Sequence, residues 1–84
     1  MITFQHIARY IGAEPFRPFR INMASGKVYE IRHPEMIQAG RTTMTIFTFM
    51  DEDGGTREQE HEISLILVES IEPLNRAAKQ SQDQ

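Results

Sequence analysis

Prolines at positions 15, 18, 34 and 73 constrain this chain more than any other feature. Each removes a backbone donor and biases the residue before it toward extended geometry, so no helix interior can run through them. The one segment with a helical period lies ahead of the first proline. Phe4, Ile7, Ala8 and Ile11 recur at i, i+3, i+4 and i+7 behind Thr3, a good N-cap residue. This spacing predicts a helix over about 3–12, ended by Gly12 in left-handed backbone. The repeat Pro15-Phe16-Arg17-Pro18-Phe19-Arg20 must then be extended.

Beyond it the period is two. Phe19, Ile21 and Met23 alternate with Arg20 and Asn22, residues 24–27 form a turn, and Tyr29 and Ile31 alternate with Val28, Glu30 and Arg32 until Pro34. Residues 42–50, rich in threonine, isoleucine and phenylalanine, are the best strand. A hairpin loop over 51–56 follows, then a strand over 57–62 with acids at alternate positions, and a run over 63–73 that ends as an edge strand at Pro73. The expected fold is therefore mainly β with a short N-terminal helix: a small, five-stranded, strongly bent barrel, in which bending avoids exposed edges.

Eighty-four residues close one apolar core and leave no room for a second, so a single domain over 1–74 is expected, with 75–84 a disordered tail. The chain has no cysteine, which excludes disulfides and zinc ribbons and fits the cytoplasm. Its opening Met-Ile-Thr-Phe-Gln-His lacks a basic n-region and an apolar h-region, so no targeting or membrane segment is expected. Charge is divided along the chain. Residues 1–49 hold six basic side chains against three acids, net +3; residues 50–84 hold three against nine, net −6. Phosphates are repelled by the acidic half, so any nucleic-acid contact must use the first half.

Candidate chemistry is sparse. His33-Pro34-Glu35 and His61-Glu62 offer imidazoles and carboxylates, yet metal ligands on strands must alternate onto one face, and this spacing does not require it. Solvated histidines at strand ends account for them equally, and no metal or cofactor is assigned. Ser25, Ser64 and Ser70 lie in no nucleophile motif, so the chain is not read as an enzyme. The run Asp51-Glu52-Asp53 falls out of register for a calcium loop and reads as a solvated turn. The richest pattern is Arg17, Arg20, Arg32 and Arg41 interleaved with Phe16, Phe19 and Tyr29: rings on which bases can stack beside guanidinium groups for phosphates. The same pattern arises when Phe19 and Tyr29 face the core and arginine stems cover apolar surface.

The order of helix, strand, Ser-Gly turn, strand, long central strand, His-x-Ile-Ser and closing strand resembles the Sm-like barrel family, including its bacterial Hfq-like members, over roughly residues 3–74. In those members a Lys-His-Ala-Ile-Ser run helps line an RNA site in the pore of a ring; here the comparable run is Glu60-His61-Glu62-Ile63-Ser64, with an acid in the lysine's place. A second likeness is carried by Pro-Phe-Arg-Pro-Phe-Arg-Ile, Tyr-Glu-Ile-Arg-His-Pro-Glu and His-Glu-Ile-Ser-Leu, which are similar to a group of small uncharacterised bacterial proteins and imply no activity. The first likeness implies an Sm-like or SH3-like barrel, a homo-oligomer, and single-stranded RNA as partner, with Arg17, Arg20, Arg32, Arg41 and His61 as contacts. The alternative is a protein-interaction or assembly module that uses an edge strand over 68–72 or the Pro-Phe-Arg segment.

Overall fold

The computed structural model describes residues 2–74; the tail expected to be disordered lies outside the described residues. Helix α1 spans Phe4–Ile11. Thr3 caps it as expected, its hydroxyl accepting from the His6 amide at 3.4 Å while His6 Nδ1 accepts from the Thr3 amide at 3.2 Å. Histidine thus takes the place that glutamate or glutamine usually holds in a capping box. Ile7 is fully buried, with Ala8 and Ile11 half-buried beside it. Gly12 differs from expectation: its φ is −90°, not left-handed, and the helix closes through the Gly12 amide, which donates to the Ala8 carbonyl at 2.9 Å.

Six strands form where five are expected: β1 Phe19–Met23, β2 Val28–Ile31, β3 Ile37–Ala39, β4 Thr43–Glu52, β5 Gly55–Ser64 and β6 Val68–Pro73. Two single-turn 3-10 segments account for the difference in layout. Pro34–Met36 separates β2 from β3, and Leu65–Leu67 separates β5 from β6. Proline at the start of the first turn removes the amide that would have continued the ladder. The strands make two three-stranded antiparallel sheets, ordered β2-β1-β6 and β3-β4-β5.

The core lies between these sheets and α1. Ile7, Phe19, Ile21, Met23, Ile31, Ile37, Met44, Ile46, Leu65 and Val68 form one buried cluster. Each full burial of such a side chain is worth roughly 1.5–3 kcal/mol, so the cluster supplies the driving force that a cysteine-free chain of this size needs. Phe19, the largest of them, has its ring centroid 5.1 Å from that of Tyr10 and 6.0 Å from that of Phe16, which ties β1 to the helix and to the Pro-Phe-Arg segment.

Two local irregularities set the faces. Asn22 pairs with Ser70 and Met23 with Val68, leaving Glu69 as an extra residue in β6. Unbroken alternation would put Val68 and Ile71 on opposite faces; the bulge brings Val68 into the core with Ile71 half-buried alongside. In the second sheet the expected six-residue loop contracts to Asp53-Gly54, because Glu52 pairs with Gly55. Gly54 and Gly55, at φ of +91° and +149°, supply backbone that other residues rarely adopt. The β4–β5 hairpin then outruns its own sheet. β3 pairs only with Met44–Ile46, so from Phe47 onward, among the described residues, β4 has β5 as its sole ladder partner.

Candidate interaction surfaces

Arg20 and Arg32 are brought together, but by an acid. On the outer face of the first sheet Arg20 stands opposite Glu30 of β2 and Glu72 of β6, and its guanidinium reaches both carboxylates at 3.4 Å. Arg32 meets the other Glu30 oxygen at 2.8 Å. Asn22 donates to Ser70 Oγ at 3.0 Å and to Glu72 at 3.1 Å, closing the row. The hydrogen bond from Arg32 holds the Glu30 carboxyl below the usual carboxylate value; slight desolvation opposes it, and Arg20 adds to the lowering. These cations are therefore already matched within the chain.

The other three candidates are dispersed. Arg17 shares an open, largely apolar concavity with Arg9, Tyr10, Ala13, Pro18 and Pro73. Arg41 lines a groove with Ile2, Phe4, Thr42, Leu65 and Ile66, at the opposite end of the helix. His61 sits on β5 opposite Ile46, half-buried; its Nε2 is 3.0 Å from Thr48 Oγ1 and its ring lies 5.5 Å from that of Tyr29. Lys27 places its ammonium 5.7 Å from the Tyr29 ring centroid. Of the aromatic residues interleaved with the arginines, Phe19 is fully buried and Phe16 and Tyr29 half-buried, which is the packing alternative weighed above.

A surface that sequence reasoning missed lies on the outer face of β4–β5. Odd-numbered residues of β4 point there, and the register sets Thr45 against Glu62, Phe47 against Glu60 and Phe49 against Glu58. Phe49 is 61% exposed. His33, Glu35, Met36 and Gln38 complete the concavity around the two rings. Among the described residues no cation lies within ion-pair distance of Glu35, Glu58, Glu60 or Glu62, and no carboxylate lies within that distance of Arg9, Arg17 or Arg41. The signal was available. Once the loop is fixed at Asp53-Gly54, pairing outward from Glu52 and Gly55 puts every odd position of β4 against an even position of β5, and three of those are glutamates.

The two histidine clusters do not converge. His33 lies on the outer side of the second sheet with Phe47 and Phe49, while His61 lies on the inner side with Tyr29. Among the described residues no group of three histidine, aspartate or glutamate side chains is placed to hold a metal ion, and no helix is long and apolar enough to cross a membrane. No protein family, no curated protein and no solved structure matches this chain.

Proposed function

We propose that this chain is a non-enzymatic interaction module on a half-open barrel of the Sm-like or SH3-like kind, and that its partner is a protein. The observation that carries this reading is the outer face of β4–β5, where Phe49 stands largely in water within a row of glutamates that meet no cation among the described residues. An apolar centre with a charged rim is the anatomy of a protein contact, and a two-stranded extension that outruns its sheet gains little stability by itself. The barrel reading is supported by two sheets that share one core and by kinks at Pro34–Met36 and Leu65–Leu67.

RNA is the less favoured partner. Two of the five residues expected to meet it, Arg20 and Arg32, are matched by Glu30 and Glu72, and His61 is flanked in sequence by Glu60 and Glu62. Bound phosphates would have to displace the first pairs and approach the second against repulsion. The test is solution mass by light scattering across protein concentration, together with fluorescence anisotropy of uridine-rich and adenine-rich oligoribonucleotides at low salt. A protein-interaction module leaves the oligoribonucleotides unbound. Tight uptake that weakens steeply with salt and is lost on Arg17→Ala and Arg41→Ala overturns the reading in favour of RNA.

A proline at Val68 is a poor probe of edge-strand pairing. The Val68 amide donates to the Leu65 carbonyl to close the 3-10 turn, and its side chain is buried, so that substitution breaks the fold before it reports on an edge.

A further inference from the structure

Among the described residues, two sets of charges without an ion pair are each gathered around one concavity, apart from scattered others such as Arg41. Arg9 and Arg17 frame one concavity, whose other lining residues, Tyr10, Ala13, Pro18 and Pro73, carry no charge. Glu35 and Glu58 frame the other, around Phe47 and Phe49, with Glu60 next along the same strand. No residue lines both concavities, so the two sets belong to separate surfaces of the fold. By contrast, Arg20, Arg32 and Arg57 each have a carboxylate at 3.4 Å or less.

We infer that these two surfaces are the halves of one head-to-tail contact, in which the acid-rimmed Phe47/Phe49 face of one copy takes the Arg9/Arg17 concavity of a second copy. This inference rests on the protein-interaction reading and names its partner. Each half supplies what the other lacks. Guanidinium groups meet carboxylates at the rim, and the Phe49 ring meets the tyrosine and proline surface at the centre, where water is expelled. Arginine is also the cation best suited to lie against an aromatic face while it pairs with a carboxylate. Because the two halves differ, the contact is heterologous: every copy retains one free half after docking, so assembly continues to a ring or a filament.

The asymmetry gives a decisive mixing experiment. The acidic half is inactivated by Glu58→Arg with Glu60→Arg, and the basic half by Arg9→Glu with Arg17→Glu; all four side chains are exposed. Circular dichroism checks that each variant keeps the native spectrum, and light scattering reads mass. The wild type is expected to gain mass with concentration and to lose it as salt rises. Each variant alone is expected to be monomeric, with self-association weakened at least about tenfold. An equimolar mixture is expected to regain mass as a heterodimer or larger, because the two intact halves pair and the two reversed halves are again opposite in sign.

If a reversal unfolds the protein, Glu58→Gln with Glu60→Gln and Arg9→Gln with Arg17→Gln replace it, read as a loss of salt dependence. A mixture that stays monomeric overturns the inference, as does a wild type monomeric up to about 1 mM. Self-association that neither variant changes also overturns it, while leaving a protein-interaction module that uses another surface, such as the free edge of β6. A monomer that takes up the oligoribonucleotides overturns both this inference and the reading beneath it.

Discussion

The outer faces of the two sheets are built from similar strands and end in opposite conditions. On the first, β1 lies in the middle, and its outward Arg20 has partners on both sides, Glu30 from β2 and Glu72 from β6, while Asn22 bonds Ser70 and Glu72 of β6. On the second, β4 lies in the middle, yet its outward Phe47 and Phe49 have described ladder partners on β5 alone, Glu60 and Glu58, since β3 is too short to pair with them. A central strand flanked along its length can satisfy its outer side chains internally; one that extends past a neighbour leaves them to solvent or to a partner. Strand length therefore decides which face of this fold is finished and which is open.

The hardest test of that contrast compares two phenylalanines. Phe19 is fully buried between Tyr10 and Phe16, so Phe19→Ala should cost about 3–5 kcal/mol and lower the urea midpoint sharply or prevent folding. Phe49→Ala should change stability by no more than about 0.5 kcal/mol, because the ring is already largely hydrated. It should nevertheless weaken self-association. Equal losses of stability for the two substitutions would mean that the β4–β5 face is packed within the monomer, and would break the comparison.

A smaller effect separates the ion pairs of the two sheets. Arg20→Ala removes two cross-strand pairs and leaves Glu30 and Glu72 on either side of an uncharged position, at an expected cost of about 0.5–1.5 kcal/mol in urea unfolding. Arg57→Ala removes a single exposed pair with Glu52 beside the hairpin turn, at an expected cost of about 0.5 kcal/mol or less. If the second substitution proved the more costly, the first sheet's network would not be the stabilising one.

How much of this was legible depends on the range of the interactions. The helix, its Thr3 cap and the inward set Phe19, Ile21, Met23, Tyr29 and Ile31 followed from period and capping, which are local. The faces of β6 did not, because the bulge at Glu69 arises from pairing with β1 some fifty residues away. Six strands form rather than five because Ile37–Ala39 is too short to show a period of two; β2 does end before Pro34, which starts the 3-10 turn into β3. The arginines are legible as residues but their partners are not: sequence shows Arg20 alternating with Phe19 and Ile21, and Arg32 following Ile31, not that Glu30 lies between them and Glu72 arrives on the far side. Arg9 entered only as one charge in a sum, since its neighbourhood with Arg17, Pro18 and Pro73 exists only after the chain has closed.

The smallest effect sharpens the comparison by pH. Glu30 carries a lowered pKa because Arg32 and, behind it, Arg20 favour its charged form. For a carboxylate whose folded pKa lies below its unfolded value, the stabilisation is fully present above the unfolded value of 4.5 and is lost as pH falls through the folded one. The side chain is 40% exposed, so solvent screening keeps the contribution small. Glu30→Gln should accordingly be slightly less stable than the wild type at pH 7, with the difference closing below the folded pKa, where both side chains are neutral. Glu58→Gln, on the face with no ion pair among the described residues, should show no such loss at pH 7. Urea midpoints at the two pH values measure both, and a larger neutral-pH loss for Glu58→Gln would place the matched charges on the wrong sheet.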